Sequence, residues 1–190
     1  MAVWVVVAVV LIGAGVAAVL TYVGVVTGAL VIDVGWGRRL RALGPLTVSI
    51  AAARDDVFDL LAQPYLGPTT RALWEKVEVV ERSADMVLAR HKTPVGRRLT
   101  AVTVETVRFS RPERIDFRLL RGPIPHVVES FVLTEESESV TRLDYSGELG
   151  TDGWWLGARW GNLVARQWNA TVSKTFASVK AEAERRRRTR

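Results

Sequence analysis

The chain has no cysteine among its 190 residues and only two histidines. Without cysteine it can form neither a disulfide nor a thiolate nucleophile or zinc–thiolate site. His91 and His126 stand far apart and form no His-x-x-x-His pair, so they give no recognisable metal-ligand set. The residues therefore predict no metal, no cofactor and no catalytic constellation.

Charge is absent from the start of the chain. Every residue from Ala2 to Ile32 is uncharged, and roughly 20 apolar residues are enough to cross a bilayer. A cleaved secretory signal is the alternative, but it needs a cationic start and an apolar centre of about 7 to 15 residues. This segment lacks the first and exceeds the second. We predict a single-pass transmembrane anchor over residues 1–33.

Basic residues are absent before Arg38, although the whole chain has 26 of them and a formal charge of +6. Three arginines follow the apolar block in a basic juxtamembrane linker, residues 34–44, and residues 185–190 form a basic tail. Because cationic residues stay on the cytoplasmic side, we expect a cell-membrane protein whose C-terminal part faces the cytoplasm. The tail either attracts anionic lipid or is simply solvated.

The body between these two basic segments is nearly neutral, because its acidic and basic residues are almost equal in number. A nucleic-acid-binding domain is expected to carry a basic stripe of its own. We therefore predict a membrane partner and no nucleic acid; protein partners are not indicated.

Helix signals are absent from Trp74 to Leu149, where β-rich runs alternate with turn residues. Six strands are predicted there, after a first strand at residues 46–50: residues 76–82, 86–91, 98–109, 114–120, 127–134 and 140–149. With no helix between them, the connections should be hairpins and the sheet antiparallel. Phe117 and Leu119 alternate with charged residues, so one face of the sheet should be apolar.

Proline is absent from residues 152–184, which read as one long helix with Asp152 as its N-cap. A shorter helix is predicted at residues 53–63, ending before Pro64, with a brief turn at 69–73. The long helix has a wide apolar arc, which suits packing on a sheet: Trp160, Leu163, Val164, Trp168, Val172, Phe176 and Val179. A narrow polar stripe is also predicted: Arg159, Asn162, Arg166, Asn169, Ser173, Lys180 and Glu184.

Three sequence patterns carry a family resemblance: LTVSIAAARDDVFDLL at Leu46–Leu61, ESFVL at Glu129–Leu133 and TRLDYSGEL at Thr141–Leu149. Together with the element order, they resemble the START-like (SRPBCC) superfamily, which includes polyketide cyclases, Bet v 1-like pollen allergens, coenzyme Q-binding proteins and lipid-transfer domains. The resemblance implies an α+β helix-grip fold over residues 45–184, with a curved antiparallel sheet of about seven strands around the C-terminal helix. It also implies a cavity for lipids, steroids, quinones or polyketides.

Three functions are compatible with these features. The preferred hypothesis is a membrane-tethered module that binds or transports a hydrophobic small molecule or lipid in the sheet–helix cavity. The alternatives are a cyclase- or aromatase-like enzyme, which a buried His126 would favour, and a ligand-free interaction scaffold.

Specific side chains are assigned to these hypotheses. The predicted ligand-binding residues line the cavity: Phe117, Phe131, Tyr145, Leu163, Gln167, Thr171 and Phe176. Tyr145 and Gln167 are expected to supply hydrogen bonds, since unpartnered polar groups in a dry core cost about 1 to 3 kcal/mol each. The polar residues His91, Asp116, Glu129 and Asp144 are expected outside, and the tryptophans Trp154, Trp155 and Trp160 either pack on the sheet, which is favoured, or face the membrane.

Overall fold

A computed structural model describes residues 2–67 and 76–189 of the protein. Its elements follow the chain in this order: α1 (Ala2–Val26), β1 (Arg39–Ile50), α2 (Arg54–Leu66), β2 (Val77–Arg82), β3 (Met86–Val95), β4 (Leu99–Ser110), β5 (Arg114–Arg121), β6 (His126–Ser137), β7 (Val140–Thr151) and α3 (Trp154–Arg188). The turn predicted at residues 69–73 lies outside the described residues.

The strands form one antiparallel sheet of seven in the order β1-β7-β6-β5-β4-β3-β2. Strands β2 to β7 are joined by consecutive hairpins, and β1 adds to the sheet by pairing with β7. The sheet curves around α3, which contacts β1, β7 and α2. This arrangement confirms the predicted α+β helix-grip fold.

Alternation along the strands gives the sheet an inner face toward α3 and an outer face toward solvent. On β5, Ile115, Phe117 and Leu119 are buried while Arg114 and Arg118 are exposed. The same alternation on β7 buries Leu143, Tyr145 and Leu149. The predicted apolar face is therefore confirmed, and it supplies the wall of the interior.

Two boundaries differ from the sequence prediction. Strand β1 begins at Arg39, inside the predicted linker, because residues 39–43 pair with β7 from Thr151 to Gly147. Helix α2 continues through Pro64 to Leu66. Burial of Tyr65 in that last turn offsets the backbone hydrogen bond that the proline ring removes.

The start of α3 corrects the prediction that Asp152 is its N-cap. The N-cap residue is Gly153, which has a left-handed conformation with φ of 85°. No side chain caps the first turn of the helix. The Asp152 carboxylate instead accepts hydrogen bonds from the backbone N–H groups of Val34 and Gly35, both at 2.8 Å, and from Arg38 Nε at 2.7 Å. A charged acceptor is used where three donors converge, so Asp152 holds the segment after α1 rather than the helix after it.

The contact face of α3 consists largely of small residues in its first half and of larger apolar residues in its second. The buried residues are Gly157, Gly161, Ala165, Val172, Phe176, Val179 and Ala183. A Cβ atom at Gly161 would lie 3.0 Å from Thr151 Oγ1, which shows how closely the helix approaches β7. Because the small residues face the sheet, Leu163 is turned outward and is 52% exposed.

Three residues of the predicted polar stripe of α3 contact the edge of the sheet at β1, whereas Arg159, Arg166 and Ser173 of the same stripe are exposed. Asn169 Oδ1 accepts the Gly44 N–H, and the Lys180 ammonium group donates to the Ser49 carbonyl oxygen. Glu184 Oε1 accepts the Ala51 N–H. These side chains form hydrogen bonds with backbone groups at the edge of the sheet, where no further strand pairs with β1. The edge is thereby protected.

Among the described residues, α1 alone has the length and apolar composition to cross a membrane. None of its most apolar window is buried against the rest of the protein. The segment after it is fixed to the domain: the Thr27 carbonyl oxygen accepts a hydrogen bond from the Val102 N–H, and Arg121 donates to the carbonyl oxygens of Gly28 and Ala29.

Candidate functional site

A cluster of polar side chains lies on the inner face of the sheet, where apolar residues are expected. It contains Glu105 from β4 and Glu129 from β6, which are only 4% and 8% exposed. Both residues are in phase with their buried apolar neighbours, so the strand alternation itself carries them inward. The cluster therefore results from the sequence of each strand rather than from an irregularity in the sheet.

Glu129 connects the sheet to α3. Its Oε2 accepts a hydrogen bond from the Tyr145 hydroxyl group at 2.7 Å and another from Trp168 Nε1 at 2.7 Å. Tyr145 lies on the neighbouring strand β7, and Trp168 lies in the middle of α3. Two neutral donors on one carboxylate oxygen are the kind of partners that a buried carboxyl group needs.

His91 connects the sheet to α2. Its Nδ1 lies 3.1 Å from Glu105 Oε2, and its Nε2 lies 3.0 Å from the Tyr65 hydroxyl oxygen. Tyr65 comes from the last turn of α2, and its ring also meets the His91 ring edge-on. The result is a hydrogen-bonded chain, Tyr65–His91–Glu105, that runs from the helix to the centre of the sheet.

The two glutamates have opposite electrostatic environments. Burial raises the pKa of Glu129 to about 7, and the negative charge of Glu105 acts in the same direction. Burial also opposes the ionisation of Glu105, but the attraction and hydrogen bond of His91 hold its pKa below the ordinary value. Although burial disfavours the charged imidazole, Glu105 raises the pKa of His91 above its ordinary value. The cluster thus combines a His91–Glu105 pair, whose charged forms stabilise each other, with a carboxyl group that titrates near neutrality.

An aromatic cluster adjoins the polar one. The ring centroids of Phe117 and Phe131 are 5.0 Å apart, and Phe131 lies 5.6 Å from Tyr145 and 5.3 Å from Phe176. All four residues are buried. The structure therefore brings together four of the seven predicted ligand-binding residues, and the Tyr145 hydroxyl group joins their rings to Glu129.

The other three predicted ligand-binding residues, Leu163, Gln167 and Thr171, are exposed on the far side of α3. Thr171 Oγ1 donates a hydrogen bond to the Gln167 carbonyl oxygen in its own helix. Thr175, which shares their side of the helix, does the same to Thr171. The prediction that these polar side chains face the interior was wrong, because the small residues of α3 occupy the contact face.

Two further positions correct the sequence prediction. His91 was expected to be solvated and Glu129 to lie outside, but both belong to the interior. The signal for Glu129 was its phase with Val127, Phe131 and Leu133, all buried on β6. The corresponding signal for His91 was its phase with Val87 and Ala89 on β3.

Asp116 and Asp144 lie outside, as predicted, and His126 also lies away from the interior cluster. His126 Nε2 lies 2.9 Å from Glu148 Oε1, and the histidine side chain is 28% exposed. Asp116 and Asp144 pair with Arg114 and Arg142 on the outer face. His126 therefore does not occupy the position that would have favoured an enzyme.

The solvent-open concavities of the described residues include two that do not lie between the rings of the aromatic cluster. One, of about 400 Å³, is a groove between the start of β1 and α3, lined by Arg39, Arg41 and Ala158 among others. The other, of about 890 Å³, is an open depression on the outer face of β3 to β7. Within residues 2–67 and 76–189, no group of three His, Asp or Glu side chains is placed to hold a metal ion.

No protein-family model and no curated protein matches this sequence. Solved structures match it clearly. The ZhuI aromatase/cyclase from Streptomyces sp. R1128 is similar with a TM-score of 0.59 and 21% identity over 78% of this chain and 95% of that one. Norcoclaurine synthase from Thalictrum flavum, in complex with dopamine and hydroxybenzaldehyde, is similar with a TM-score of 0.57. The identity is 10% over 77% of this chain and 87% of that one.

A START superfamily protein from Mycobacterium smegmatis is also similar, with a TM-score of 0.54 and 14% identity over 77% of this chain and 97% of that one. At these sequence identities, the comparisons show similarity of fold. They support the helix-grip fold described above. The chain has the START-like (SRPBCC) helix-grip fold, joined to an apolar N-terminal helix.

Proposed function

We propose that the protein is a membrane-tethered module that binds a hydrophobic small molecule bearing a polar group. Its apolar part would contact the aromatic cluster, and its polar group would meet Glu129 and the Tyr65–His91–Glu105 chain. The observation that carries this proposal is the polar cluster itself, which lies buried beside aromatic rings on the inner face of the sheet.

The energetics of burial favour a binding role for this cluster. Taking two carboxylates out of water costs several kcal/mol per ion. A protein with well-packed apolar residues of similar volume in their place is often at least as stable. Perturbed titratable groups held in one place are typical of functional sites. A ligand hydroxyl could donate to ionised Glu129, and a ligand carbonyl could accept from its protonated form.

The apolar part of the ligand would supply most of the affinity, at about 25 cal/mol per Å² of surface removed from water. The Phe131 ring contacts both the Phe117 ring and the Phe176 ring. Binding therefore requires these rings to separate. Similarity to ZhuI and to a norcoclaurine synthase solved with aromatic molecules supports this use of the interior.

The tether is the second part of the proposal. The unburied apolar helix α1 would cross the membrane once, and the arginines that follow it would keep the domain on the cytoplasmic side. A cleaved signal is the competing role for α1. Edman sequencing of the mature protein decides between them, since a retained residue 2–26 segment supports the anchor and its loss overturns it.

Identification of copurified molecules tests the binding role. The full chain, extracted in mild detergent, is analysed by mass spectrometry and then titrated with a panel of quinones, sterols and phospholipids. We expect an apolar molecule with an oxygen function to be recovered, and Glu129→Gln to change its occupancy. Asp144→Asn, on the outer face, is the matched control. If no panel member binds and nothing copurifies, the scaffold alternative replaces this proposal.

Acid–base catalysis is the second candidate function, favoured by the Glu129 pKa of about 7. A carboxyl group that titrates near neutrality is suited to proton transfer at that pH. The test is hydrogen exchange at the α-carbon of 1-tetralone in D₂O, followed by NMR. Exchange above the buffer rate that is lost in Glu129→Gln and kept in Asp144→Asn supports an enzyme. Exchange at the buffer rate excludes this chemistry for that ketone.

A further inference from the structure

Large apolar side chains are exposed at the beginning of α3 and in the segment before β1. Trp155 and Leu156 are 62% and 61% exposed, Trp154 and Leu163 about half, and Trp36 and Leu40 more than half. We call these six residues the juxtamembrane surface. Trp154 and Trp155 were expected to pack on the sheet and do not; Trp160 does, with its indole N–H bonded to the Pro123 carbonyl oxygen. Large apolar side chains that are exposed in one part of a protein are typical of a binding surface.

The juxtamembrane surface adjoins the end of α1. The Tyr22 ring, in the last turns of α1, meets the Trp160 ring edge-on at 6.4 Å. Trp36 meets Trp154 at 4.5 Å. Since α1 has the length of a bilayer span, its final turns fall at the membrane–water boundary, and the first turns of α3 are held at the same height.

The connection between the two is fixed by hydrogen bonds. The Gly153 and Trp154 N–H groups donate to the carbonyl oxygens of Trp36 and Gly37. Asp152 accepts from Val34, Gly35 and Arg38, as described above. The first turn of α3 is therefore bound directly to the chain that leaves α1, so this surface cannot move far from the bilayer that holds α1.

Basic side chains accompany the apolar ones. Arg159 and Arg166 are exposed on the same side of α3 as Trp155 and Leu163, according to helical spacing. Arg39 and Arg41 line the neighbouring groove of about 400 Å³. Apolar and aromatic side chains with interspersed arginines are typical of helices that lie in the interface of anionic membranes.

The second half of α3 provides an internal comparison. Its exposed residues on that side are small or polar, with Lys174, Ala177 and Ser178 among them. The apolar character is thus confined to the half that is close to α1. A general amphipathic helix, or a helix-binding partner that covers the whole of α3, would not require this restriction.

We infer that the juxtamembrane surface lies in the headgroup region of the bilayer that α1 spans, with Arg39, Arg41, Arg159 and Arg166 contacting anionic phospholipid headgroups. This inference rests on the proposed transmembrane role of α1. The partner is the lipid surface itself. Covering by a second copy or by another protein would be a different outcome of the same test.

Spin labels provide the test, because the chain has no cysteine and each single substitution gives one label. Leu163→Cys reports on the juxtamembrane surface, and Lys174→Cys, about three turns further along the same side of α3, is the matched control. Val10→Cys in α1 reports on the anchor. The full chain is reconstituted in vesicles of phosphatidylcholine and phosphatidylglycerol. Collision with oxygen is then compared with collision with a water-soluble nickel chelate.

We expect the oxygen-to-nickel collision ratio to be highest at Val10, severalfold higher at Leu163 than at Lys174, and aqueous at Lys174. An aqueous ratio at Leu163 with a hydrocarbon ratio at Val10 overturns this inference and leaves the anchor intact. An aqueous ratio at Val10 overturns the anchor. Protection of Leu163 from both reagents reveals a protein cover and overturns the lipid contact.

The arginines are tested in the same vesicles. Arg159→Gln combined with Arg166→Gln is expected to lower the Leu163 collision ratio in mixed vesicles toward its value in pure phosphatidylcholine. Ser173→Ala, an exposed change on the same helix, is expected to leave it unchanged. An equal Leu163→Cys ratio with and without phosphatidylglycerol, in the labelled chain that keeps Arg159 and Arg166, overturns the role of anionic headgroups.

Discussion

Glu129 concentrates the chemistry of the interior in one side chain. It is buried, it receives two hydrogen bonds from neutral donors, and it lies close enough to Glu105 to feel its charge. Burial therefore keeps its proton bound at a pH where a solvated glutamate has lost it. The residue can act as a donor or as an acceptor near neutral pH, which suits recognition of hydroxyl and carbonyl groups alike.

The raised pKa of Glu129 makes folding stability depend on pH. Between its ordinary value of 4.5 and about 7 the folded protein keeps a proton that the unfolded chain has released. The free energy of unfolding therefore falls as pH rises through this window, by about 3 kcal/mol from this group. Glu129→Gln should remove that part of the fall, measured as the difference in unfolding free energy between about pH 4.5 and pH 8.

Only the pH dependence tests this prediction, because the amide can change stability by a constant amount at every pH. His91 and Glu105 remain in both proteins but interact with Glu129, so the change in slope reports the titration of the three coupled groups together. Asp144→Asn, an exposed carboxylate paired with Arg142, is the control and should keep the wild-type slope. Parallel stability curves for Glu129→Gln and the unsubstituted protein would show that Glu129 titrates normally.

Asp152 has a different task, which is to hold the segment between α1 and β1. Its Arg38 partner holds the pKa of the Asp152 carboxyl group below the ordinary value, helped by the Gly35 and Val34 N–H groups. Asp152→Asn should weaken these contacts by about 1.5 to 3 kcal/mol. Amide hydrogen exchange at Val34 and Gly35 should become at least tenfold faster, while exchange in β6 stays as it was. Unchanged exchange at both amides would contradict this role.

Helix α3 is shaped by its glycines as much as by its tryptophans. Gly157 and Gly161 bring its first turns against Asp152 and Thr151, and a Cβ atom on Gly157 would lie 1.8 Å from the Asp152 carbonyl oxygen. Helix propensity alone predicts that Gly157→Ala stabilises the protein by about 1 kcal/mol. The clash should outweigh this and destabilise it by about 1 to 3 kcal/mol. Thermal unfolding should show the lowered midpoint, with Ser173→Ala as an exposed control that does not lower it.

The strands and the order of elements follow from local patterns, and these were predictable. Alternation on β5 and β7 identified the inner face, and the long proline-free run identified α3. The rotation of α3 was not predictable from apolarity, because a wide arc of large residues is compatible with several contact faces. Gly157, Gly161 and Ala165 decide among them by allowing the closest approach to β7. The prediction placed Leu163, Gln167 and Thr171 inside because it did not use these small residues to identify the contact face.

The interior polar cluster shows a second limit. Glu129 and His91 are in phase with buried residues on their strands. The alternation pattern therefore predicts their inward position correctly, whereas their polar character predicts an outward one. Their partners come from four different elements, however, and no sequence spacing relates Tyr65 on α2 to Trp168 on α3. Packing of the helices on the sheet creates the site, and only the fold reveals it.

The whole chain couples a helix suited to a membrane with a domain suited to a ligand, and its orientation can be measured. The arginines after α1 predict that the sheet lies on the cytoplasmic side. Glu138→Cys, in the exposed turn between β6 and β7, should react with a membrane-impermeant maleimide only after the cells that express the protein are permeabilised. A control cysteine in an outward-facing loop of a coexpressed protein confirms access. Labelling in intact cells would reverse the orientation.

The bonded joint between α1 and the domain also sets how far the protein can reach. Arg121 and Val102 hold residues 27–29, and Asp152 holds residues 34–38, so little slack is left between the two parts. A domain on a long flexible linker could reach a neighbouring membrane and release a bound molecule there. If α1 crosses the membrane as proposed, the domain would stay beside that bilayer. A molecule released to another membrane would then have to diffuse through water or be taken up by a soluble carrier protein.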